Sequence, residues 1–304
     1  MNIAIAMAIG FVGTSVIHMS KGMMKLGISR MRAPRGSDDG TRRVSILYLA
    51  GMIANFTTPF WVMLANLFAP TVFYTSMYGT GLVALLLFSR CVMKEELNGR
   101  HYLGAAVIIV GTGVLGAGEI VGTPAALNWD QFGALLVVVG VWVTGTLVAA
   151  LVTRGGRITL QEVVFGVAAG GLAALDALLK GIAQRGAGGA TFIPATTEGI
   201  VLLLGSFVIA AGAFGMIQWS YLRHCRASVM GTIYDIAYVG LPVALFALLR
   251  PDHGVTVFNA GGLLTLIIGA TLIQTAPAVN RALTAAPTRH SVHGVSDGGA
   301  APFR

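Results

Sequence analysis

Long stretches of the chain carry no Asp, Glu, Lys or Arg: residues 1–20, 44–89, 101–118, 131–153, 199–222 and 253–280. A hydrocarbon core of about 30 Å is crossed by roughly 20 helical residues, so each run is long enough for a membrane helix. The 44–89 run holds two, because Asn66-Leu67-Phe68-Ala69-Pro70 supplies a turn: Pro70 biases its predecessor away from helix. Two further apolar segments, about 160–182 and 227–249, carry Asp176 and Asp235. The pattern therefore predicts nine helices, at about 1–20, 44–65, 69–89, 101–118, 131–152, 160–182, 199–220, 227–249 and 254–274, in an all-α membrane protein.

Composition agrees with that reading. Of 304 residues, 55% are hydrophobic and 11% charged, with a mean hydropathy of +0.79; a soluble domain is about a quarter charged. This excludes most soluble enzyme folds and all nucleic-acid modules, and makes the lipid bilayer the expected surroundings. The net charge of +8 then becomes a question of sidedness. Distributed over alternate sides of nine spans, 17 of the 20 Lys and Arg fall together, leaving Lys180, Arg185 and Arg250 opposite. The positive-inside rule makes the first side cytoplasmic, with the N-terminus outside and the C-terminus inside a plasma (inner) membrane. The first segment lacks a basic leader and a small-residue cleavage site before Lys21, and reads as a retained helix. Residues 276–304 read as a disordered cytoplasmic tail; His290 and His293 in it are weak metal candidates. Cys91 and Cys225 form no disulfide framework.

The chain also echoes itself. A shift of 157 lays Thr71-Val72 on Ser228-Val229, Thr75 on Thr232, Glu95 on Asp252 and Gly104 on Gly261; a shift of 159 lays Lys21-Gly22 on Lys180-Gly181. The expected organisation is a first repeat of four helices over 1–118, with a polar cytoplasmic loop at 28–43, and a second of five over 131–275. The two have opposite topology, as in secondary transporters whose halves rock about a midplane site.

An ionisable group inside a span costs roughly 2.5–3.5 kcal/mol on insertion scales and so calls for a role. Asp235, mid-helix with no partner at i±3 or i±4, and Asp176 are the leading candidates for binding a cation or proton; Lys180, four residues beyond Asp176, offers the bland alternative of a neutralising pair. Asn55 could offer its carbonyl to an ion or hydrogen-bond a neighbouring helix, and Thr57-Thr58-Pro59 should bend the chain there and free a carbonyl. Glu119 falls at the outer mouth of the fourth span and could attract cations. His18 and Gln218 lie near the cytoplasmic ends of the first and seventh spans, where packing is the commoner role. Gly111-Thr112-Gly113-Val114-Leu115-Gly116 fits a dinucleotide pattern but lies inside a span, where small residues serve close helix packing. Asn55-Phe56-Thr57 matches a glycosylation acceptor at the wrong depth. No metalloprotease, nucleophile-elbow or metal-spaced Cys/His motif occurs, so neither an enzyme nor a cofactor is expected.

The stretch Ala54–Gly79 (ANFTTPFWVMLANLFAPTVFYTSMYG), followed after the third helix by Lys94–Gly104 (KEELNGRHYLG), resembles the drug/metabolite transporter (EamA-like) superfamily and, within it, the NIPA-like magnesium transporters. Lys21-Gly22, Ala54-Asn55-Phe56, Ala69-Pro70, Glu96-Leu97, Tyr221-Leu222, Ser228-Val229 and the nine-helix layout carry the resemblance over roughly residues 10–275. The Pro-Ile-Tyr run common in that branch stands here as Thr232-Ile233-Tyr234, followed by Asp235. The resemblance implies a secondary carrier working by alternating access. One expectation is transport of Mg2+ or a related divalent cation, with Asp235, Asp176 and Glu119 as ligands and Asn55 and Tyr234 along the pathway. Magnesium keeps most of its water and needs only one or two carboxylates. The other is a proton-coupled drug/metabolite exporter, with Asp235 as the proton site and Trp61, Tyr78, Trp142, Tyr234 and Tyr238 lining the pocket. A non-transporting membrane scaffold is the third, and a homodimer is left open.

Overall fold

In a computed structural model, residues 2–31, 38–92, 97–121, 132–186, 189–223, 225, 227–249 and 256–275 are described. Eleven helices account for nearly all of them: α1 (Ile3–Met31), α2 (Asp38–Phe56), α3 (Thr58–Asn66), α4 (Thr71–Ser76), α5 (Tyr78–Cys91), α6 (Gly99–Val121), α7 (Phe132–Val152), α8 (Ile158–Ala183), α9 (Thr197–Leu222), α10 (Ala227–Leu249) and α11 (Val257–Gln274). A two-residue antiparallel ladder, β1 (Arg185–Gly186) with β2 (Gly189–Ala190), joins α8 to α9. The fold is all-α, with seven helical stretches long and apolar enough to cross a membrane and two shorter apolar ones, Val229–Leu245 and Val257–Ile273. Such helices suit a multi-pass membrane protein, since lipid requires every backbone polar group to be satisfied within the span.

The helix boundaries follow local chemistry. Thr196 and Thr256 cap α9 and α11, their hydroxyls accepting from Gly199 N (3.1 Å) and Asn259 N (3.1 Å). The expected bend at Thr57-Thr58-Pro59 is present as the break between α2 and α3. The carbonyl it frees, that of Asn55, is not left open, because the Thr58 hydroxyl donates to it. Pro70 separates α3 from α4, with Phe68 O accepting from Asn2 N at 3.0 Å.

One expected boundary is wrong in an informative way. The charge of Lys21 ends the apolar run at residue 20, yet α1 continues to Met31 and its apolar part reaches Ile28. Lys21 and Lys180 are both buried helix residues, not loop charges, so both leave the sidedness tally, which stays lopsided at 16 against 2. The tail 276–304 with His290 and His293, Glu95, Glu96, Asp252, residues 32–37 and the side chain of Glu119 lie outside the described residues; the remainder of the expected 28–43 loop is helical, forming the end of α1 and the start of α2.

Glycines set the close packing. Along α6 and α11 they recur every seventh residue, Gly104, Gly111 and Gly118 facing Gly269, Gly262 and Phe258 in turn, so the two helices run antiparallel with backbones nearly touching. A Cβ on Gly111 would lie 3.0 Å from Leu266 N, and one on Gly269 2.8 Å from Gly104 O. In α1, Gly10 meets Met77 and Tyr74; 156 positions later in α8, Gly166 meets Ile233 and Met230. α1 therefore lies parallel to α4–α5 as α8 lies parallel to α10. α8 is buried along most of its length, whereas α7 exposes most of its apolar surface.

Candidate functional site

α1, α5 and α10 meet deep in the bundle, and their charged and aromatic side chains converge on Asp235. His18 is one of them, admitted by Gly81 on α5, where any Cβ would overlap the imidazole. Its Nδ1 lies 2.8 Å from the Thr14 carbonyl, and its Nε2 lies 3.0 Å from Asp235 Oδ2. Lys21, one turn further along α1, puts Nζ 3.5 Å from Asp235 Oδ1 and 3.3 Å from Tyr78 Oη, to which it donates. Asp235 and His18 are only 5% and 1% exposed, so these contacts are not diluted by solvent.

Geometry fixes the proton count. A carbonyl can only accept, so Nδ1 of His18 carries a hydrogen, and in a neutral imidazole Nε2 is then a lone pair. A lone pair and a carboxylate oxygen 3.0 Å apart repel unless a proton lies between them. The contact is therefore an imidazolium with a carboxylate, or an imidazole with a carboxylic acid. Either way the pair stores one proton, and losing it leaves two acceptors face to face.

Tyrosines wall the cluster. Tyr78 donates to Tyr234 Oη at 3.4 Å, lies tilted against Tyr238 with ring centroids 4.0 Å apart, and meets His18 edge to face at 4.8 Å. Lys21 Nζ lies 3.8 Å from the Tyr234 ring centroid and 5.2 Å from that of Tyr78. Tyr221 of α9 lies within electrostatic reach of Asp235. Among the described residues, Asp235 Oδ1, Tyr74 Oη, Tyr238 Oη and, on α6, Thr112 Oγ1 are buried with no hydrogen-bond partner, the nearest cation to Asp235 Oδ1 being Lys21 Nζ at 3.5 Å. Beside Asp235 a cavity of about 10 Å3, the size of one water, is lined by Gly79, Leu82, Ile108, Thr232 and Leu266 among others.

The other expected site residues are dispersed. Asp176 pairs with Lys180 on the same face of α8, and Lys180 Nζ lies 4.5 Å from the Phe207 ring of α9. Asn55 is half-buried and accepts from Ser20 Oγ at 3.5 Å. Trp61 donates to Thr57 Oγ1 at 2.9 Å, Gln218 accepts from Tyr48 Oη at 3.2 Å, and Trp142 packs on Gly171. Among the described residues no three His, Cys, Asp or Glu side chains converge as a metal site.

Sequence reasoning missed His18 and Lys21 as partners of Asp235, since 217 positions separate the imidazole from the carboxylate. It also passed over the fully buried Glu162 in the same run as Asp176, and the network at the far end of α8, where Gln184 accepts from Asn66 Nδ2 at 2.9 Å. Cys225, between α9 and α10, has its thiol pushed up by burial and then by Glu162, so it is a poor nucleophile. No family model, no curated protein and no solved structure matches the chain.

Proposed function

We propose that the protein is a multi-pass secondary transporter of the drug/metabolite type that couples solute movement to protons, with Asp235 and His18 as the proton site. The observation that carries the reading is the buried His18–Asp235 contact, which holds one proton between α1 and α10. An element that must gain or lose a proton to stay favourable, and that joins two separate parts of the chain, is what coupling requires.

An inverted repeat of α1–α6 and α8–α11 supports the same reading. Gly104 meets Gly269 and Gly111 meets Gly262, and both pairs are seven apart, so an offset of 158 maps each contact onto the other, the reciprocity of a two-fold axis. Equivalent helices that meet antiparallel belong to units of opposite topology. On this reading α7 is the unmatched helix, and Tyr78 and Tyr234, 156 apart and hydrogen-bonded, sit on the axis. The lopsided Lys and Arg distribution supports nine spans in a plasma (inner) membrane, N-terminus outside.

The divalent-cation reading draws less support, because each leading acid already faces a resident cationic partner: Asp235 faces Lys21 and His18, and Asp176 faces Lys180. The two readings separate in proteoliposomes loaded with a pH indicator or a Mg2+ indicator. Solute-dependent proton flux from a small-molecule panel, lost in Asp235→Asn, is the expected result. Saturable Mg2+ entry without proton flux, or equal proton flux in Asp235→Asn, would overturn it.

A further inference from the structure

The ammonium of Lys21 has three N–H donors, and the surroundings offer three partners: Asp235 Oδ1, Tyr78 Oη and the face of the Tyr234 ring. A carboxylate framed by phenol rings attracts cations on every side, the rings through the negative charge of their faces. An anion would meet Asp235 and those same faces. A small divalent ion would have to shed tightly held water for neutral phenols. The chemistry is that of a receptor for an organic ammonium group, and the group now in it belongs to the chain.

Lys21 does not fill this receptor well. At 3.5 Å its contact to Asp235 Oδ1 is long, and Tyr74 Oη and Tyr238 Oη are buried without a hydrogen-bond partner among the described residues. Buried polar atoms left open are costly, and a ligand larger than a lysine tip could satisfy them. The cavity beside Asp235 lies where α5, α6, α10 and α11 meet, on ground that Lys21, reaching in from α1, does not line.

We infer that the tyrosine-walled Asp235 site binds an organic ammonium solute, and that Lys21 is a tethered stand-in which occupies it when no solute is present. The inference rests on the carrier reading only in calling the ligand a transported solute; binding itself is tested without transport. The stand-in keeps the buried carboxylate compensated in the empty protein, and an arriving ammonium exchanges with it one cation for one.

The probe is n-butylammonium, which reproduces the end of a lysine side chain, with n-butanol as the uncharged control. Purified full-length protein in detergent is titrated calorimetrically and by thermal unfolding. The wild-type chain is expected to bind n-butylammonium saturably and n-butanol not at all. Lys21→Ala, which removes the competitor, should bind the ammonium more tightly and show a larger rise in Tm, and Lys21→Ala with Asp235→Asn should lose the response. If Lys21→Ala does not fold, wild type against Tyr234→Leu carries the test, with weakened ammonium binding expected in the variant. Equal responses to the alcohol, binding that survives Asp235→Asn, or binding by Lys21→Ala with none by wild type would each overturn the inference. Ammonium binding without any proton flux would uphold the site and defeat the carrier reading. Proton flux driven only by neutral or acidic solutes, without ammonium binding, would do the reverse.

Discussion

Asp176 and Asp235 are both acids buried within apolar helices, and they are neutralised in opposite ways. Asp176 is paired with Lys180 four residues later on the same helix, so the pair forms whenever α8 forms. Asp235 depends on α1: its partners His18 and Lys21 come from the other end of the sequence, and one of the two contacts also needs a proton. The first arrangement is insensitive to how the helices are assembled. The second changes its energy whenever α1 and α10 separate or the proton leaves. A buried charge is thus informative about function by the distance its compensation must travel, more than by its burial.

The comparison can be broken most forcefully at Asp235. Asp235→Asn is predicted to abolish solute-linked proton flux in proteoliposomes while Asp176→Asn leaves it intact; equal loss in both would erase the distinction. A large effect on stability is expected at the other acid. Lys180→Met strands a buried carboxylate and should destabilise the protein by about 3–5 kcal/mol, read as a fall in detergent Tm. Replacing both partners, Asp176→Leu with Lys180→Met, should then be close to neutral or stabilising by about 1–4 kcal/mol, with proton flux retained. A smaller change should follow from Tyr78→Phe, which removes the phenol linking Lys21 to Tyr234: about 0.5–1.5 kcal/mol per hydrogen bond lost, visible as a modest drop in Tm.

The apolar runs alone make the helices legible, because period and length are local properties. Pro59 and Pro70 likewise locate the α2–α3 and α3–α4 breaks, since a missing N–H acts within one turn. Asp235 is conspicuous in sequence as an acid without a helical partner. What escapes is whatever depends on pairing across the chain: Lys21 looks like a charge that ends a span until its carboxylate is found 214 positions away. The internal echo at 157 and 159 misses the offsets at which glycine contacts recur, 156 for Gly10 and Gly166 and 158 for Gly104 and Gly262. Small apolar residues match at several registers, and only contacts choose among them. The Asn55 carbonyl shows the converse: a proline predicts that it is freed, but the neighbouring Thr58 hydroxyl reclaims it.

The glycine seam between α6 and α11 restricts how this molecule can move. With Gly104 against Gly269 and Gly111 against Gly262, main chain approaches main chain, and Ile273, Leu266, Leu115 and Ile108 pack into the spaces the glycines leave. Rolling either helix would drive neighbouring bulk, such as Leu115 or Leu266, into the opposite main chain, and sliding by one residue would do the same. The seam therefore holds the two helices in one register. A single methyl added at Gly111 would lie 3.0 Å from Leu266 N and should force the two helices apart, read as a fall in detergent Tm.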